Sequence, residues 1–171
     1  MKNIIKSALA VLALTAVTVP ASAACNDSPK VGVDWTDCSK KLLMLGGANL
    51  EKAVLSKANL TSTDLGGARL SGAMLDGADV SYASFREADL SGASMVKTAG
   101  NRSVFAKAKL DGTQMESIEL FRADFSGASL SGTSLMRASM PRARFDGANL
   151  TGADLTKVDI VRGSFKDADL T

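Results

Sequence analysis

The side chains able to do chemistry in this chain are few and scattered. Its 171 residues contain no histidine, which removes imidazole bases, Ser-His-Asp triads and His-rich metal sites. The carboxylates stand singly, as at Asp64, Asp79, Asp89, Asp124, Asp154, Asp159 and Asp169. Carboxylates placed in this way suit solvated positions with local hydrogen bonds to turns, not a paired acid and base. No catalytic residue, metal ligand or cofactor site is therefore expected. One feature rises above this background. Arg102, Arg122, Arg142 and Arg162 recur every twenty residues, with Phe121, Pro141 and Val161 immediately before three of them and Arg137 close by. A guanidinium row with apolar neighbours has the composition of a binding strip for a protein or an anionic polymer. The competing reading is that these long side chains only shield a corner and splay into water.

The elements that must position these arginines follow from a strict internal repeat. A large apolar residue occupies every fifth position from Leu50 to Leu170, Gly100 alone excepted, and a small residue, mostly Ala, stands two places before it. A helix, at about 100° per residue, would rotate each successive Leu by about 140° and form no stripe. A straight strand alternates faces with period two, so an odd repeat would turn every second Leu into water. The chain must instead turn in each unit. The small residue and the Leu then point inward, and the polar residue between them faces solvent. Longer correlations count the turns: Phe recurs at 85, 105, 125, 145 and 165, Leu fills 50, 70, 90, 110, 130, 150 and 170, and Gly fills 72, 92, 112, 132 and 152. Four units make one coil, identical residues stack on identical residues, and the arginines share a corner. Glu119 and Asp159, on the wall between that corner and the one bearing Lys97, Arg137 and Lys157, compensate only part of the charge.

Units such as Gly-Ala-Asn-Leu-Glu and Gly-Ala-Asp-Leu-Thr resemble the pentapeptide repeat family, over about residues 46–171. The resemblance implies an all-β fold, a right-handed quadrilateral parallel β-helix. It implies little about activity. In that family strongly acidic cytoplasmic members mimic duplex DNA and bind gyrase. Without Lys2 and Lys6 this chain has 18 Lys and Arg against 18 Asp and Glu, so a nucleic-acid mimic is disfavoured and no nucleic-acid partner is expected. A polysaccharide-cleaving enzyme is disfavoured as well, because longer-coiled β-helices of that kind build grooves from loop insertions that are almost absent here. The expected function is that of a non-enzymatic scaffold or binding module.

Residues 1–24 read as an export signal: Lys2 and Lys6, an apolar stretch from Ala8 to Val19, then Ala21-Ser22-Ala23-Ala24. That stretch is short of the roughly 20 residues of a membrane span. A periplasmic or extracellular location is expected, and such a compartment favours a Cys25–Cys38 disulfide closing a cap over residues 25–45, with Trp35 a cap residue. The alternative is a lipidated Cys25, against which Ser22 stands where such sites carry an apolar residue. Two structural expectations complete the reading. The unit around Gly100 lacks its large side chain and should be the weakest part of the solenoid, with Ile118 filling part of the gap. Thr171 lies within a regular unit with no closing helix, so the last coil should pair with a second copy or fray.

Overall fold

The computed structural model describes residues 25–171; the expected export signal lies outside the described residues. From residue 31 onward the chain repeats one local motif: a two-residue turn, an inward residue, a single bridged residue facing out, and a second inward residue. Each bridged residue pairs in parallel with the residue twenty positions on, from Asp34↔Val54 to Asn149↔Asp169. Four turns close each coil. Residues 31–170 thus form seven stacked coils, the first 31–50 and the last 151–170, enclosing one core with no helix among the described residues. A wall is one bridged residue long, so cohesion between coils comes from stacking and not from extended ladders.

Three of the five amides in a unit bond to the neighbouring coils and one closes the turn. Where the second coil passes into the third, Leu70 N–H donates to Asp89 O (2.7 Å), Gly72 N–H to Ser91 O (3.0 Å) and Met74 N–H to Ala53 O (2.9 Å), and Ala73 N–H donates back to Leu70 O (2.9 Å). Thr at the small inward position is satisfied too, as when the buried Thr113 hydroxyl donates to Leu90 O at 2.9 Å. The core is otherwise Leu, Ala, Met and Phe. The five phenylalanines stack as the sequence predicts, with centroids 4.9–5.0 Å apart and ring planes within 6°. That separation is close to the distance between bridged strands.

Two expectations need correction. The solenoid begins at residue 31, not 46, and has seven coils. The boundary was hidden because the first coil fills its inward positions with Val33 and Trp35, Cys38 and Lys40, and Leu43 and Leu45 instead of Ala and Leu. The cap over it is residues 25–30. It is tied down by the Cys25–Cys38 disulfide, by Trp35 Nε1–H donating to Asp27 O (3.2 Å) and by the Lys40 ammonium donating to Cys25 O. Lys40 also lies 3.9 Å from the centre of the Trp35 ring, and burial lowers its pKa, opposed by the charge of Asp27. A lysine serves at this inward position because no coil lies beyond it. Its head reaches the cap while its stem covers the core.

Gly100 is not a gap. A Cβ there would lie 2.4 Å from Leu120 Cδ2 and 2.9 Å from Val80 Cγ2, so the side chains one coil above and below have closed over the site. Ser103 Oγ, at 3.1 Å, is the third group against it. The hydrogen bonds Gly100 N–H to Glu119 O and Arg102 N–H to Phe121 O, both 2.8 Å, keep the coil continuous.

Candidate interaction surface

The second residue of every turn, from Gly32 to Asp167, has φ between +55° and +68°. A hydrogen-bonded turn with positive φ at its third residue favours glycine, which has no Cβ to clash. Glycine occupies eleven of these positions. The four corners use it very differently. One corner carries Gly32, Gly72, Gly92, Gly112, Gly132 and Gly152, interrupted only by Lys52. The corner diagonally opposite, ten residues on in each coil, carries Leu42, Ser62, Tyr82, Arg102, Arg122, Arg142 and Arg162 and no glycine.

The structure therefore brings four of the sequence-derived arginines into one exposed column and places Phe121 among them. The Phe121 ring lies between two guanidinium groups, Arg122 at 5.2 Å and Arg142 at 5.7 Å from its centroid. Arg102 reaches over Tyr82 at 5.9 Å. Aromatic faces thus relieve part of the like-charge repulsion that stacking at this spacing creates. None of the four joins an ion pair among the described residues; the pairs found are Lys30–Asp27, Arg69–Glu51 and Arg144–Asp146. Arg137 is not part of the column. It stands at the preceding corner, across the wall 138–140. Tyr82 and Leu42 belong to the column and escaped the sequence reading, which followed the arginines alone. Stepping back by twenty from Arg102 would have found both.

The carboxylates keep to local work. The first amide of each turn has no backbone partner, and where Asp or Asn stands two residues earlier its side chain accepts that N–H, as Asp89 does from Ser91 (3.0 Å) and Asn59 from Thr61 (3.0 Å). The sequon-like Asn59-Leu60-Thr61 and Asn149-Leu150-Thr151 are by-products of this cap. At three positions where Ser replaces the Asp, Ser94, Ser129 and Ser164, an Asp at the same corner of the preceding coil takes over. Asp76 accepts from Ser94 Oγ and Val96 N, Asp111 from Ser129 Oγ and Ser131 N, and Asp146 from Ser164 Oγ and Lys166 N. These bonds hold several carboxyls below their ordinary pKa: hydroxyl donation from Ser91 to Asp89, from Thr36 to Asp34 and from Thr156 to Asp154 is the largest cause in each. Open depressions of about 490 and 390 Å³ lie beside Gly66–Gly67 and Gly77, and both are shallow surface features.

A pentapeptide repeat family model matches eight copies over residues 44–72, 53–92, 83–120, 118–156 and 142–171. The chain belongs to the pentapeptide repeat family. Pentapeptide repeat proteins fold as right-handed quadrilateral β-helices, in keeping with four turns per coil. Solved pentapeptide repeat structures similar to this chain include Rfr23 from the cyanobacterium Cyanothece 51142, at 25% identity over 63% of this chain and TM-score 0.38. This chain spans 64% of the length of that protein. A pentapeptide repeat protein of the Arabidopsis thaliana thylakoid lumen matches at 26% identity, over 73% of this chain and 66% of its own, with TM-score 0.33. QnrB1, a plasmid-mediated fluoroquinolone resistance protein, matches at 16% identity over 84% of each chain, with TM-score 0.38. Overlays at this level carry no functional assignment. No curated protein matches the chain. No helix among the described residues is long and apolar enough to cross a membrane.

Proposed function

We propose that this pentapeptide repeat protein is a non-enzymatic, exported binding module, a right-handed quadrilateral β-helix that contacts a protein or an anionic envelope component through its outer surface. The observation that carries the proposal is the arginine column: four exposed guanidinium groups on one corner, interleaved with aromatic rings and lacking ion pairs among the described residues. Charge placed at such a spacing without partners of its own is available to a partner of opposite sign. The test is capture of envelope components by the immobilised protein, compared with Arg122→Glu/Arg142→Glu. Loss of capture with an unchanged melting temperature supports the column as the contact. Equal capture returns the arginines to solvated surface. Sequencing the amino terminus of protein recovered from the envelope tests export, since a start at Ala24 or Cys25 is expected and a retained Met1 would overturn it.

The last coil supports a second contact, with another copy of the chain. Its inward residues Leu155, Ile160 and Phe165 are only partly buried and Leu170 is 54% exposed. Sedimentation over a range of concentrations decides this, and a strict monomer would refute it.

A further inference from the structure

Nine large hydrophobic side chains are exposed among the described residues, and five of them fall on one edge of the solenoid. Leu42 and Tyr82 stand in the arginine column itself, Phe121 and Val161 immediately precede two of its arginines, and Met44 faces outward on the wall that leaves the same corner. Leu42 is 72% and Met44 82% exposed. The edge therefore runs from an apolar end at the first coil to a cationic end at the last, with aromatic rings where the two meet.

We propose that this edge docks the solenoid lengthwise on an anionic lipid surface; the inference rests on the reading of the arginine corner as the contact strip and names its occupant. Three observations point to lipid. The composition is that of an interfacial element, guanidinium groups suited to headgroup phosphates beside Tyr, Phe, Leu and Met suited to the acyl boundary. The shape is a convex corner from which two walls fall away, so a rigid partner would need a matching groove, whereas a headgroup layer deforms around it. The polarity across the molecule is consistent from the second coil onward: past the exposed Val31, the diagonal corner carries Glu51, Ser71, Ser91, Asp111, Ser131 and Thr151 beside its glycines and Lys52, and would face water. Among the described residues this is the one corner of the four without a glycine. All seven coils keep a side chain at this positive-φ position where glycine would be unstrained, and six of these seven side chains are the Leu, the Tyr and the four Arg of the strip. Nothing in the packing asks for them, because corner side chains lie outside the core.

The test is flotation of the purified protein with vesicles of phosphatidylglycerol and phosphatidylcholine, set against phosphatidylcholine alone, at low and high salt. Binding to the anionic vesicles only, weakened by salt, is expected. Arg122→Ser should lower the partition coefficient about fivefold, and Tyr82→Ser should lower it with less dependence on salt. Lys52→Glu on the diagonal corner should leave it unchanged, and Phe121→Trp should report a blue-shifted emission on binding. Absence of binding to anionic vesicles overturns the lipid proposal, and if the arginine column is still required for envelope capture, the contact strip stands with a protein or polymer as its occupant. Equal losses for Arg122→Ser and Lys52→Glu would overturn the placement of the lipid contact on this edge.

Discussion

The two diagonal corners of this solenoid share a backbone and differ in everything attached to it. At the glycine corner φ runs from +55° at Lys52 to +67° at Gly152, and at the arginine corner from +55° to +61°. The same turn is made by glycine on one side and by Leu, Ser, Tyr or Arg on the other. A side chain in the left-handed region costs about 1–2 kcal/mol relative to an unstrained backbone. The fold therefore prefers the first solution, and the second persists at all seven coils against that preference. The arginine corner carries that cost at every coil, and the glycine corner only at Lys52.

Mutations can separate the two corners from each other and from the core beneath them. The core sets the scale: Phe125→Ala, with a ring stacked on each side, should lower the unfolding free energy in denaturant by about 3–5 kcal/mol. A loss below about 1 kcal/mol would mean that the corners, and not the stack, hold the coils. Next comes Gly112→Arg, which copies the arginine corner onto the glycine corner. Nothing lies within 4 Å of the Cβ it introduces, so only backbone strain remains and about 1–2 kcal/mol should be lost. The reverse exchange, Arg122→Gly, relieves that strain but adds freedom to the unfolded chain, and a net gain of about 0.5 kcal/mol is expected in the same assay. If it instead destabilised by more than about 1 kcal/mol, Arg122 would be a structural residue and the contrast between corners would fail.

The smallest effect concerns acid. Asp89 and Asp169 cap amides at the glycine corner, and hydrogen bonds lower the pKa of both carboxyls from 3.8, led by the Ser91 hydroxyl for Asp89 and the Thr171 amide for Asp169. A lowered native pKa gives stability that is present above the unfolded value and lost as pH falls through the native one. Melting temperature should therefore drop on acidification below 3.8. Asp89→Asn, which keeps an acceptor but cannot titrate, should make that drop shallower. An identical acid limb would show that these caps do not distinguish the ionised state.

The coil period, the inward Phe column and the arginine column were legible in the sequence because stacking repeats residue type at a fixed interval. What escaped was encoded in position without a residue signature. The first coil keeps the backbone register while replacing Ala and Leu by Cys38, Lys40, Val33 and Trp35, so a reading by residue type starts at residue 46 in place of 31, three units too late. At Gly100 the missing side chain was visible but the response of Val80 and Leu120 was not, since it depends on how neighbours in two other coils relax. The caps supplied by Asp76, Asp111 and Asp146 link residues eighteen and twenty apart, a spacing with meaning only once the coil length is known. Tyr82 was legible in principle, as a member of the arginine column with a different residue type.

The twenty-residue bridge register also sets how this chain can change in length. Deleting or inserting twenty residues removes or adds a coil and leaves every column aligned. A five-residue deletion is another matter: each inward position is still followed by an inward position, so the core and the turns survive, yet everything downstream rotates by a quarter of a turn. Cut between Arg122 and Arg142, the chain would fold as before with half of its guanidinium column moved to a different edge. Such an indel works like a frameshift in three dimensions: the repeat continues, while the phenylalanine stack and the surface columns are both broken at the cut.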